Sequence, residues 1–107
     1  MNSDAHPRAS LKGVDRLIHE PSRSVILAVL TAVQKADFLY LLRETGLTKG
    51  NLTVHLSKLE AAGYIDIEKT YRGKLPLPLC SITEQGEQAF DNYCQQLHQF
   101  LDQVETN

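Results

Sequence analysis

A chain of 107 residues with a net charge of −2 is long enough for one domain with one hydrophobic core. No apolar run reaches the length of a membrane span, and no charged opening leads into a signal-type apolar stretch. The expectation is a cytoplasmic protein with no membrane partner. Cys80 and Cys94 lack metal-ligand spacing and are too few for a disulfide framework, so both are expected as reduced, at least partly buried thiols.

In chain order, residues 1–10 are polar, contain Pro7 and show no periodicity, which predicts a mobile segment ahead of a domain spanning 11–107. Leu11, Val14, Leu17 and Ile18 stand at helical spacing and suggest a short helix that Pro21 ends or kinks. A second helix opens at Pro21 or Ser22 and carries the run Val25–Leu30. That run is apolar on all sides, and its continuity through Lys35 favours helix over strand. Ala36 to Thr45 is expected as the next helix, with Asp37 in its first turn, Phe38, Leu41 and Leu42 facing inward and Gly46 closing it.

The next helix follows almost at once. Thr48 is a good N-cap and Gly63 suits the left-handed position past the last turn. Leu52, Leu56 and Leu59 share one face. The opposite face carries Gly50, Thr53, Val54, Ser57, Lys58 and Ala61, and it lacks the paired Glu and Lys of a merely solvated helix. The same residues suit a DNA major groove: small ones for close approach, hydroxyls for base edges, a valine for thymine methyls, and Lys49 and Lys58 for phosphates. An ordinary amphipathic core helix light on charge is the competing reading. Helix, tight glycine-containing turn, helix is the helix-turn-helix arrangement.

After Gly63, Tyr64 to Tyr71 alternates as a half-buried strand, Arg72-Gly73-Lys74 forms a turn with two cations at its tip, and Leu77 to Thr83 returns as a second strand. Pro76 and Pro78 confine their part of it to an edge. Such a hairpin must lean on the helices, which predicts a mainly α fold of the α+β type: a winged helix-turn-helix with a two-stranded wing. Thr83 then caps a last helix running to about Val104. Its seam of Phe90, Cys94, Leu97, Leu101 and Val104, widened by Tyr93 and Phe100, exceeds what a small domain needs to cover itself, and it points to a homodimer through this terminal helix.

The charge is unevenly distributed. Between Thr48 and Lys74 the bases Lys49, Lys58, Lys69, Arg72 and Lys74 outnumber Glu60, Asp66 and Glu68. From Glu84 onward stand five acids and no lysine or arginine. A mildly basic middle can bind DNA, more firmly as a dimer.

The stretches Asp15 to Arg23, Leu47 to Tyr64 and Thr83 to Gly86 resemble the small stand-alone winged-helix transcriptional regulators of the MarR/ArsR-like type, over about Asp15 to Leu101. The resemblance implies a homodimer on double-stranded DNA, recognition helices in successive major grooves and wings at adjacent minor grooves. On this reading Thr48, Lys49, Gly50, Asn51, Thr53, Val54, Ser57, Lys58, Arg72 and Lys74 face DNA, and the function is a transcriptional regulator reading an inverted-repeat operator. The wing departs from the pattern in its flank Leu75-Pro76-Leu77-Pro78-Leu79, which supplies few phosphate contacts and instead suits packing on a partner subunit or receiving another protein.

Catalysis finds no support, since neither a nucleophile elbow nor a glycine-rich phosphate loop is present. Cys94 and His98 form an i, i+4 pair, but Cys94 already belongs to the apolar seam, so no metal and no cofactor are expected. His55 is expected as a packed residue at the core edge. The rival from another class is a protein–protein adaptor built on the same fold without sequence-specific DNA binding, which the acidic tail and apolar wing flank favour. A small-molecule effector entering between the winged core and the dimer helices is a third reading.

Overall fold

The computed structural model describes residues 10–106; of the segment expected to be mobile, all but Ser10 lies outside them. Residues 11–20 form a run of turns rather than the expected helix. Gly13 sits at φ +89°, and the Asp15 carboxylate accepts the backbone N–H groups of Leu17 at 2.9 Å and Ile18 at 3.2 Å. A side chain that satisfies its own backbone in this way competes with the helical ladder. The apolar spacing still does its work, because Val14 and Ile18 are buried in the core.

α1 spans Pro21–Val33, capped by Glu20, whose carboxylate accepts from Arg23 N–H, with Pro21 at its opening position. It buries Ile26, Leu27 and Leu30 completely. The chain leaves α1 through Gln34, a non-glycine residue at φ +70°, and enters a short strand, β1 (Lys35–Asp37). This corrects the expected boundary of the next helix. Asp37 lies outside α2 (Phe38–Thr45) as its N-cap, accepting from Tyr40 N–H at 2.8 Å, and Gly46 ends the helix in the left-handed region at φ +70°. α3 runs Lys49–Ala61.

β2 (Ile65–Glu68) and β5 (Leu79–Ile82) pair antiparallel, from Ile65 opposite Ile82 to Glu68 opposite Leu79. β1 pairs on the other side of β5, so the sheet at the core has three strands in the order β1-β5-β2 where the sequence suggested two. Its buried face presents Ile65, Cys80 and Ile82 to the helices. Burial pushes the Cys80 thiol up to about 11, with the charges of Glu60 and Asp37 adding to the shift. The wing tip is a separate two-stranded ladder, β3 (Tyr71–Arg72) and β4 (Leu75–Pro76). Leu77 joins the two ladders, donating its N–H to the Thr70 carbonyl at 2.7 Å and accepting from the Thr70 hydroxyl. Pro78, which cannot donate, accepts the N–H of Phe38 at 2.9 Å.

α4 (Glu84–Thr106) is 23 residues long, about 34 Å at 1.5 Å per residue. It projects from the core and gives the molecule extents of 65 × 25 × 21 Å. Its start is fixed to the end of α3. Thr83 N–H donates to the Tyr64 carbonyl at 3.0 Å, its hydroxyl donates to Gly63 O at 2.6 Å and accepts from Gly86 N–H at 2.9 Å. Tyr64 is itself tied through its hydroxyl to Asp15. That hydrogen bond pushes the phenol up to about 12, with burial and the carboxylate charge adding to it.

Gly86 makes this junction possible. A Cβ there would lie 2.1 Å from the Tyr64 carbonyl oxygen, a backbone atom that cannot rotate away. In an ordinary helix interior Gly→Ala gains about 1 kcal/mol. Here Gly86→Ala is expected to reverse that sign and cost about 1–3 kcal/mol, the range for overpacking, as read by urea denaturation. A more stable alanine variant would contradict the described contact.

Candidate nucleic-acid interface

Gly46 to Thr48 is all that separates the two central helices, and the turn is held locally. Gly46 N–H returns to the Leu42 carbonyl at 3.1 Å and the Thr45 hydroxyl accepts from Leu47 N–H at 3.3 Å. Thr48 opens α3 as expected, its hydroxyl accepting from Asn51 N–H at 3.2 Å. Gly63, at φ +81°, takes the left-handed position just past the Ala62 cap.

The two faces of α3 separate cleanly. Leu52, Leu56 and Leu59 are buried, between 0 and 3 % exposed. Lys49, Gly50, Asn51, Thr53, Val54, Ser57, Lys58 and Ala61 are all exposed, Val54 at 51 %. The α3 residues expected to face DNA are therefore all solvent-exposed. Glu60 is the sole acid in the helix and lies in its last turn. The Thr53 hydroxyl donates back to the Lys49 carbonyl at 2.8 Å, which leaves its oxygen as an acceptor on the outer face.

His55 is half-buried at the flank, and its Nδ1 lies 3.0 Å from Arg23 Nη1. Arg23 also donates through Nε to the Leu17 carbonyl. This polar bridge joins the segment before α1, α1 itself and α3, and makes His55 the packed edge residue the sequence suggested.

Arg72 and Lys74 flank Gly73, which turns at φ +62°, and both side chains are exposed at the wing tip. Beside them Tyr71, expected only as the end of a half-buried strand, is the most exposed of the large apolar or aromatic side chains described, at 64 %. An aromatic next to a cation in a hairpin tip was the available signal. The wing does not close onto α3. Between them lies a groove of about 380 Å³, lined by Phe38 and Leu39 of α2, Lys49 and Thr53 of α3, and residues 75–78 of the wing.

On α4 the expected seam divides. Phe90 and Leu97 are half-buried against the core. Cys94 is also half-buried, its thiol pushed up by burial and the Asp91 charge. Tyr93 is 6 % exposed, with its hydroxyl 2.7 Å from His19 Nδ1. Leu101 and Val104, in contrast, are 52 % and 50 % exposed. Among the described residues, Cys94 and His98 have no third ligand beside them.

A family model described as a winged helix DNA-binding domain matches residues 23–101, a span that begins in α1, takes in both central helices and the wing, and ends in α4. The chain belongs to the winged helix DNA-binding domain family. Uncharacterized protein MJ0432 of Methanocaldococcus jannaschii is 32% identical to it over 90 residues, 84% of this chain and 98% of that protein. Among solved structures, a transcriptional regulator homologue from Pyrococcus horikoshii superposes with a TM-score of 0.77 at 26% identity, over 82% of this chain and 87% of its own. The protein ytfH from Salmonella typhimurium, assigned as a transcriptional regulator, gives 0.66 at 26% identity, over 83% and 85%. This winged-helix protein is thus a DNA-binding domain similar in fold and sequence to those of transcriptional regulators. No helix among its described residues is long and apolar enough to cross a membrane.

Proposed function

We propose that the protein is a homodimeric, cytoplasmic transcriptional regulator that reads an inverted-repeat operator by placing α3 in the major groove. The observation that carries this reading is the outer face of α3. Its exposed side chains are short, its acid stands at the far end, and Lys49 and Lys58 bracket it. Short side chains let the helix sit deep, and lysines reach phosphates or guanine edges. Thr48, Gly50, Asn51, Thr53, Val54 and Ser57 supply the contact surface between them. Two such helices related by a two-fold axis call for half-sites about one DNA turn apart, roughly 34–36 Å.

The wing contributes positioning. Arg72 and Lys74 are exposed on a tight turn, and phosphate contacts fix register without carrying sequence. Replacing both with alanine is expected to weaken binding to all sequences alike and to reduce the salt slope by about one unit per lost contact per wing. An unchanged slope would exclude the wing tip from the DNA interface and favour the adaptor reading, which the apolar flank of the same wing supports.

The dimer reading rests on the outer part of α4. Phe90, Cys94 and Leu97 are partly covered by the core, but Leu101 and Val104 continue the same stripe in the open. Leu101→Glu with Val104→Glu leaves the monomer core untouched and is expected to split the dimer, since a partnered seam would bury two unpaired charges per chain. Sedimentation checks it: a dimeric wild type and a monomeric, folded double variant are expected, and a monomeric wild type at high micromolar concentration would overturn the assignment.

A further inference from the structure

Tyr71 plays no part in the core. It is 64 % exposed, and no hydrogen bond or ring contact engages its side chain among the described residues. The wing tip is a two-residue ladder, with Tyr71 opposite Pro76 and Arg72 opposite Leu75. Cross-strand partners share a face. Tyr71 therefore stands with Pro76 on one face of the hairpin, and Arg72 stands on the other with Leu75, itself 55 % exposed. Gly73, at φ +62°, and Lys74 close the ladder in a two-residue turn. From Lys69 to Pro76 the cations are Lys69, Arg72 and Lys74, and there is no acid. The base beneath the tip is stiff. Leu77 bonds Thr70 through both its N–H and its carbonyl, its side chain is buried, and Pro76 and Pro78 hold their φ angles. Phosphates seek donors and cations, so contact with a DNA backbone explains Arg72 and Lys74 but leaves the bare ring of Tyr71 unexplained.

We propose that Tyr71 is an aromatic wedge that enters the minor groove and unstacks one base step beside each half-site. Charge selects the partner. A tip with three cations and no acid fits a polyanion, and Arg72 and Lys74 hold phosphates while the ring meets the bases. The minor groove is about 6 Å wide and admits side chains rather than a helix. Apolar and aromatic side chains inserted there part adjacent base pairs and kink the duplex. A wedge needs a firm base, since a hairpin free to bend would yield before the stack opened. The Thr70–Leu77 bonds and the two prolines supply it. Base steps differ in how readily they open, pyrimidine–purine steps most of all. The wedge therefore reads sequence through deformability, at a position where no base edge need be bonded. The wing then adds selectivity, and not only position, to what α3 reads. This inference rests on the DNA-binding reading of α3.

The test uses the full chain and DNA that it selects from a random pool. With 2-aminopurine placed at successive positions across the selected site, the wild type is expected to brighten one step per half-site, outside the bases under α3. It is also expected to bend the duplex in a circular-permutation gel. Tyr71→Ala is expected to abolish the brightening and most of the bend. Binding should weaken about tenfold, less than two base–aromatic stacks are worth alone, because the cost of unstacking is recovered. The salt slope should not change, since no phosphate contact is lost. Tyr71→Phe keeps the ring and is expected to match the wild type. Selection repeated with Tyr71→Ala is expected to lose a pyrimidine–purine preference beside the half-sites while keeping the bases under α3. Both variants alter an exposed side chain and are expected to unfold at the wild-type midpoint. Brightening that survives Tyr71→Ala, or equal losses in Tyr71→Phe and Tyr71→Ala, would overturn the proposal. Dissociation of the dimer by Tyr71→Ala would assign the ring to a second copy and also overturn it. So would Tyr71-dependent binding to phosphatidylglycerol vesicles in preference to DNA. A wild type that selects no DNA would overturn the regulator reading and the wedge with it. One that selects DNA yet leaves every step stacked would overturn the wedge alone.

Discussion

Three leucines one helical face apart, Leu52, Leu56 and Leu59, determine what α3 shows to solvent. Their complete or near-complete burial contributes about 2 kcal/mol each, and rotating the helix would expose all three at once. The rotation of α3 is therefore fixed by burial of these leucines in the core cluster that also holds Ile26, Leu30 and Leu41, and Thr53, Val54 and Ser57 face outward as a consequence. A recognition surface of short polar residues has little energy of its own with which to hold an orientation. It inherits one from the core behind it, and the Arg23–His55 contact at the flank reinforces the same setting.

A second constraint places α4. The close approach of Gly86 to the Tyr64 carbonyl, with Thr83 bonding on both sides, fixes the start of α4 against the end of α3. Whatever partner α4 engages is then held in a defined relation to α3. Charge is divided along the chain as well: five bases stand between Thr48 and Lys74, and from Glu84 onward there are acids but no lysine or arginine. Net charge alone, slightly negative, would misrepresent such a molecule.

Much of this was legible in the residues. Thr48 and Gly63 mark both ends of α3 through local chemistry, and the leucine spacing fixes its inner face without reference to the rest of the chain. The tip Arg72-Gly73-Lys74 declares its turn in the same way. What the sequence concealed depends on distant partners. β1 has three residues and only one of them, Ala36, is buried, so no period is visible; it exists because β5 offers it an edge. The turns of residues 11–20 carry helical apolar spacing, but Gly13 in the left-handed region and the bonds of Asp15 to its own backbone put turns there in place of a helix. Tyr93 looks like part of an outer seam, yet His19, seventy-four positions away, draws it inward. The groove beneath the wing likewise needs α2, α3 and residues 75–78 together, and no single stretch announces it.

Regulation by this protein would depend above all on entry of the outer face of α3 into the major groove. Selection of bound sequences from a random DNA pool, followed by affinity measurement with Val54→Glu on the selected site, tests it most directly. Val54 is half-exposed and away from the leucine stripe, so the variant keeps its fold while placing an acid against phosphates and carbonyl edges. An inverted repeat is expected for the wild type, and loss of specific binding for a folded Val54→Glu protein. Wild-type affinity of that variant for the selected site would contradict it.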